Sequence, residues 1–406
     1  MHYRLRSLIE MRIVHFSWEY PPVTYGGLGT HVLELTREQR RAGHDVAVVT
    51  QQIDGRVSTD SFDEQGIRVL RVAQSEPRIP FAEEAFDTWV HRFAMDSFAA
   101  ASASLSNWDP DIVHGHDWIG AEQAFLAARR WRVPEVLTLH ATEIGRHNGW
   151  LTSKLSKVVN ARELVAVEQA DAVIVCSTAM TSELVRNLNV DSKKITVIPN
   201  GIRAHLVEMQ NSRLNNSDGM FNMLFVGRLE WEKGVHHLID ALAVLDDPSV
   251  HCHVIGTGSQ LSSLNEKAQR KGLTDTLTFH GYLSQEDMQY LIGQSDVAVI
   301  PSTYEPFGIV ALELGAHGIP LVVSCVGGLR DTVPSSEFGY ILSQVTGSAI
   351  AAAISEVRSD PSEAQLRTAA LKMRIDQEFS WQRVASETSS LYSALSDSIV
   401  DRQTDA

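Results

Sequence analysis

The chain has 406 residues, more than one ordinary core holds, so two domains are expected. A formal net charge of −15 leaves no basic footprint for nucleic acid and disfavours docking on anionic lipid. No apolar run approaches the ~20 residues of a bilayer span, and the polar opening MHYRLRSLIE is too short for a signal peptide. The three cysteines, Cys176, Cys252 and Cys325, lie far apart and read as buried reduced thiols, which makes the cytoplasm the expected compartment.

Met11 begins the first strand, MRIVHFSW, so residues 1–10 read as an extension or a misplaced start. The helix THVLELTREQRRAG follows, with Gly43 past its end. Then come the strands HDVAVVT, DIVHGHDW, EVLTLHATE and DAVIVCST. Near-continuous β-branched runs separated by helical patterns indicate parallel strands buried on both faces. The polar stretch at 204–220, rich in Asn, Ser and Gly, reads as an interdomain linker. A second alternating series follows: FNMLFVGRL, VHCHVIGTG, LTFHGY, DVAVIPS and IPLVVSCVGG. The expected architecture is α/β, two doubly wound domains facing across a cleft at the carboxyl ends of their strands.

The sharpest motif runs from Tyr304 to Glu313, YEPFGIVALE, between a strand and a helix. Glu305 falls in the turn, and Glu313 about two helical turns on. Backbone N–H groups of Gly308, Ile309 and Val310 at the helix start suit a diphosphate. Glu313 would then accept from ribose hydroxyls and Glu305 from the donor sugar. The alternative is a pair of solvated carboxylates favoured near a helix N-terminus.

Arg228 and Lys233, five residues apart after a strand, can flank a diphosphate and neutralise a leaving group. The alternative is a surface loop with ion pairs to Glu230 and Glu232. Gly26 and Gly27, inside YGGLG, permit close approach of backbone to ligand, or simply a tight strand-to-helix connection. His114, His116, Asp117, His140 and Glu143 cluster at strand ends. No Cys pair or HExxH pattern accompanies the histidines, so a polar wall for sugar fits better than a metal. Trp118 and Trp150 would stack on sugar faces or lie buried, burial being the commoner case. Asp109-Pro110-Asp111 reads as a turn at the far end of its strand. Gly256-Thr257-Gly258 lacks the full dinucleotide fingerprint and reads as a turn, facing a nucleotide or not.

Taken together, WEYPPVTYGGLGTHV, HGHDW, HATEIGRHNGWL, VIPNGI, VGRLEWEKG, IGTG and YEPFGIVALE stand in one order. In this the chain resembles retaining GT-B glycosyltransferases of family four, near bacterial glycogen synthases and actinobacterial α-1,4-glucosyltransferases. GGLRDTV adds to the likeness. The resemblance implies a Rossmann-like acceptor-side domain over 11–203, a nucleotide-sugar domain over 219–378, and a helix over 379–396 crossing back to the first. A cleft that must open for a bulky acceptor and close to exclude water is also expected to close on the donor.

The same resemblance implies roles. Arg228 and Lys233 would hold the donor diphosphate, which Gly27 would approach. Glu313 would bind ribose, Glu305 the transferred sugar, and His140 would face the reacting centre. Asp117 and Glu143 would shape the acceptor side. The implied substrates are UDP-glucose or ADP-glucose and an α-1,4-glucan, with no cofactor, no metal, and front-face departure of the leaving phosphate. Glycogen synthases carry a lysine two residues before the glycine pair, where this chain has Thr24. The alternatives are a family-four transferase acting on a lipid or sugar-phosphate acceptor, a nucleotide-sugar epimerase, and a non-catalytic sugar-binding module.

Overall fold

A computed structural model describes residues 10–23, 26–52, 58–80, 82–202 and 219–404. The linker expected at 204–220 falls almost wholly outside them, as do Thr24 and Tyr25. Two compact units emerge, one of residues 1–176, 180–201 and 381–406, the other of 177–179 and 202–380.

The first unit carries eight strands: β1 Arg12–Phe16, β2 Asp45–Gln51, β3 Thr59–Phe62, β4 Arg68–Val72, β5 Ile112–His116, β6 Glu135–Leu139, β7 Ala172–Val175 and β8 Ile195–Val197. Their order in the sheet is β3-β4-β2-β1-β5-β6-β7-β8. Only the exposed edge strand β3 runs antiparallel, against β4. The second unit carries β9 Phe221–Val226, β10 Val250–Ile255, β11 Leu277–Gly281, β12 Val297–Ile300, β13 Leu321–Ser324 and β14 Tyr340–Leu342, ordered β11-β10-β9-β12-β13-β14 and all parallel. The strand runs bury because both faces are covered. Val14, Val46, Val113, Val297 and Val322 are inaccessible to solvent.

Local chemistry sets the helix ends. Thr142, Ser153, Ser284 and Thr346 each accept a backbone N–H three residues on, as does Asp360 ahead of Pro361. Helix Gly27–Arg41 stops where Gly43 adopts φ 96°. Asp111 accepts the Arg12 N–H at 2.7 Å, so Asp109-Pro110-Asp111 lies in the connection at the strands' amino ends.

The last helix, Trp381–Thr404, belongs to the first unit. Its Trp381, Val384, Ala385 and Tyr392 pack with Met11, Ile13, Leu35, Ile112 and Ile174. Burying each such large apolar side chain contributes roughly 1.5–3 kcal/mol.

Two expectations need correction. Cys176 and Cys252 are buried, but Cys325 is exposed, because it follows the end of β13 where the sheet no longer covers it. Trp150 is 78% exposed in the loop after helix Glu143–Arg146, whereas Trp118 packs partly against Val90, Phe93 and Ile119.

Candidate active site

Doubly wound sheets place ligands where the strand order reverses, outside the carboxyl ends of the strands. In the first unit the reversal lies at β1 and β5, and in the second at β9 and β12. The sequence motifs sit there. Arg228 and Lys233 follow β9, Glu305 follows β12, and Asp117 follows β5.

In the second unit the structure joins two motifs that the sequence kept 72 residues apart. Lys233 Nζ donates to Glu305 Oε2 at 2.7 Å, with both side chains mostly buried. Ser302 Oγ donates to the same oxygen at 3.1 Å. Arg228 pairs with Glu232 at 3.3 Å and remains over half exposed. Glu230 does not pair with it; instead it accepts from the backbone N–H and hydroxyl of Ser259. The loop backbone is pinned as well, since Leu229 N donates to Thr257 O at 2.8 Å and Thr303 N to Glu232 O at 2.7 Å. Gly256-Thr257-Gly258 thus serves as the brace of the Arg228 loop.

Helix Ile309–Ala316 opens on Gly308 at φ 94° with no side-chain cap. The first-turn amides of Ile309 and Val310 have no carbonyl one helical turn back within the helix, the arrangement that favours anions. Glu313 lies on this helix, partly buried. A further feature escaped the sequence reading. Gly328 N donates to Glu305 O at 2.8 Å, and a Cβ on Gly327 (φ 51°) would sit 1.9 Å from that same oxygen. The glycine pair therefore seats the Glu305 turn.

In the first unit His140 follows β6, and its backbone N–H donates to Asp117 Oδ1 at 2.7 Å. Asp117 holds φ 53°, an uncommon conformation for a residue with a Cβ. Burial pushes its carboxyl up to about 6, offset in part by the His140 hydrogen bond. Glu143 lies 3.0 Å from His147 Nε2, while its N–H is held by both oxygens of Glu163 at 2.9 and 3.0 Å. Burial pushes Glu163 up to about 8. Gly27 begins helix Gly27–Arg41, one turn before His31, whose ring stands edge-on to His140 at 4.5 Å.

The structure adds residues that motif reading passed over. The buried His15 and His31 join the buried His114 and His116 and the partly buried His140 in one cluster. The readable signal was alternation: β1 and β5 pair with His15 opposite His114, and His116 stands two residues on, on the same face. Burial is the first cause holding all five imidazoles below their ordinary pKa, His15 and His140 at about 3.

Comparison with known proteins gives the chain's family and fold. Residues 25–206 match the model described as Glycosyltransferase Family 4, and 208–373 match Glycosyl transferases group 1. Glycogen synthase of Mycobacterium tuberculosis is 38% identical over 395 residues, 95% of each chain. Alpha-maltose-1-phosphate synthase of the same organism is 29% identical, over 94% of this chain and 99% of its own. The solved structure of sucrose-phosphate synthase from Thermosynechococcus elongatus gives a TM-score of 0.79 at 25% identity, covering 95% of this chain and 99% of that one. The fold and site thus define a GT-B hexosyltransferase. The chain belongs to the family-four, group 1 glycosyltransferases. Among the described residues no helix is long and apolar enough to cross a membrane.

Proposed function

We propose that this protein transfers glucose from UDP-glucose or ADP-glucose to an α-1,4-glucan, with retention of the anomeric configuration. The observation that carries the reading is the Lys233–Glu305 pair at the β9–β12 reversal, beside the helix that begins after Gly308. It supports the reading because a cation, a carboxylate and an uncapped helix start lie in one unit. Arg228 and Lys233 hold the diphosphate and stabilise the charge that builds as it leaves. The amides of Gly308, Ile309 and Val310 add to that stabilisation, and Glu313 accepts from the ribose. Gly27 lets backbone approach the phosphates. Glu305 holds the transferred sugar and His140 faces its reacting carbon. Asp117 fixes the His140 backbone, and Glu143 supplies acceptor-side hydrogen bonds.

The acceptor hydroxyl enters on the face from which the phosphate departs, and a phosphate oxygen takes its proton. Charge stabilisation comes from side chains and amides, so the transfer needs no metal. The likeness to a glycogen synthase supports the glucan acceptor. The second reading is a sugar phosphate acceptor. The relative named alpha-maltose-1-phosphate synthase supports it, and so does Arg146, a partly exposed cation beside Glu143 that suits a phosphate.

The test offers each donor with maltooligosaccharides, glycogen, glucose 1-phosphate, inositol phosphate and phosphoinositide vesicles in parallel. Elongated glucans cut by an α-1,4-specific amylase support the proposal. Label confined to a sugar phosphate selects the second reading. Label found only in lipid, or only as free sugar, overturns both.

A further inference from the structure

The five-histidine cluster of the first unit contains more than the proposed transfer uses. Its hydrogen bonds fix which ring nitrogens carry protons. Gln39 Nε2 donates to the Tyr392 hydroxyl at 3.3 Å, so Gln39 Oε1, 2.8 Å from His15 Nε2, is an acceptor and His15 Nε2 carries the proton. His15 Nδ1 is then a lone pair, and it accepts from His116 Nε2 at 3.0 Å. That leaves His116 Nδ1 as a lone pair. By the same logic Asn200 Oδ1 accepts from His31 Nδ1 at 2.7 Å, leaving His31 Nε2 as a lone pair.

These two nitrogens, and His140 Nε2, are buried without a hydrogen-bond partner among the described residues. A buried polar atom left unpaired costs roughly 1–3 kcal/mol, and here three belong to neighbouring rings. One ring nitrogen from each of His31, His116 and His140 lies within 4.8 Å of one from each of the others. Imidazole nitrogens sharing one Zn²⁺ at its usual bond length stand about 3.4 Å apart, so ring movements of about 1 Å close the set.

We infer that His31, His116 and His140 form a transition-metal site, three imidazoles with an open coordination position, suited to Zn²⁺ or a similar borderline ion. Asn200 orients the first ligand, and the Gln39–His15 relay orients the second, the outer-shell pattern that metal-binding histidines use. The other histidine grouping, His15, His114 and His116, is unsuitable because both nitrogens of His15 and of His114 are already committed to Gln39, His116, Tyr392 and Thr138, which leaves only His116 Nδ1 open. A metal here captures His140. On the function proposed above, it inhibits transfer and does not support it.

The test uses the full chain stripped by a chelator, then titrated with Zn²⁺ and with Co²⁺. Native mass spectrometry should show one ion per chain, and Co²⁺ should give the intense visible ligand-field bands of a four- or five-coordinate site. His31→Gln and His116→Gln should each weaken binding by at least about tenfold, and Asn200→Ala by about 10–100-fold, the usual cost of losing an orienting partner. His91→Gln, an exposed histidine paired with Glu122, should bind as the parent does. If a ligand variant fails to fold, the parent alone decides: Zn²⁺ should raise its Tm by mass action on the native state. No bound ion and no rise in Tm overturn the site, as does binding unchanged in both ligand variants. None of these readouts uses a sugar donor, so a failed glucan assay leaves them standing.

Discussion

Lys233 and Glu305, 72 residues apart, meet at 2.7 Å with both side chains largely buried. The ion pair, with the Ser302 hydroxyl on the same oxygen, holds the carboxylate in a single place. Each partner removed leaves the other charge poorly solvated, a cost beyond the lost contact. Lys233→Ala should therefore reduce turnover by about 10²–10³, the scale of losing one preorganised stabilising group. Arg228→Ala should fall in the same range while disturbing stability less, because the Arg228 side chain is over half exposed. Steady-state rates at saturating donor, with thermal melts alongside, check this. Normal turnover in both variants would refute the leaving-group role.

The Gly327-Gly328 pair seats the Glu305 turn, and a methyl group at Gly327 meets the Glu305 carbonyl at 1.9 Å. Gly327→Ala should cost more than about 1 kcal/mol, since both φ and space oppose it. It should lower kcat well beyond what the loss of folded protein explains. A melt and a rate measured on the same sample separate the two effects.

The two doubly wound sheets were legible because parallel strands buried on both faces announce themselves as β-branched runs. β3, with its exposed TDSF, gave no such signal because nothing apolar had to be patterned, and β8 and β14 are too short, at three residues each, to show a run. Arg228, Lys233 and Glu305 were legible as residue types at strand ends. Their partners were not: Glu232 and Glu305 compete for two cations, and only the approach of the β9 and β12 loops decides between them. Glu163 was invisible because a lone glutamate in a helix usually faces water, and its two bonds to the Glu143 N–H exist only after folding.

Glu163 yields a pH test. Its folded pKa, about 8, lies above the ordinary 4.5 because burial disfavours the charged form. Between those values the folded state holds a proton that the unfolded state has released, so stability falls as pH rises through the window. Glu163→Gln keeps an oxygen for the Glu143 N–H and removes the ionisation. Relative to the parent, its Tm should climb between pH 5 and pH 8 by several degrees, given that about 1 kcal/mol moves Tm by ~2–4 °C at this domain size. A difference that stays flat with pH would show that Glu163 is not held neutral.

Charge on the leaving diphosphate is met by Arg228, Lys233 and backbone amides in the proposed reaction, so exhaustive chelation should leave turnover unchanged or raised. A rise is expected wherever adventitious metal had captured His140. Loss of activity on EDTA treatment, restored by one divalent ion, would contradict the metal-free transfer.

Asp117 acts on His140 through the main chain, with its Oδ1 2.7 Å from the His140 N–H. This predicts different outcomes for two substitutions. Asp117→Asn can present the same amide acceptor and should retain turnover within about tenfold. Asp117→Ala leaves the N–H without its acceptor and also removes the side chain that accompanies φ 53° at that position. A displacement of about 1 Å at a reacting group costs on the order of 10² in rate, so kcat should drop by that much while KM for donor changes little. The Asp117–His140 contact lies wholly within the first unit, whereas Arg228, Lys233 and the helix start after Gly308, to which the proposal gives most of the diphosphate contact, lie in the second, so donor affinity should be largely spared. Measuring kcat and KM separately for both variants decides the matter. Equal losses in Asn and Ala would mean that the carboxylate charge, and not the hydrogen bond, is what His140 requires. A rise in KM with kcat intact would instead place Asp117 in donor binding.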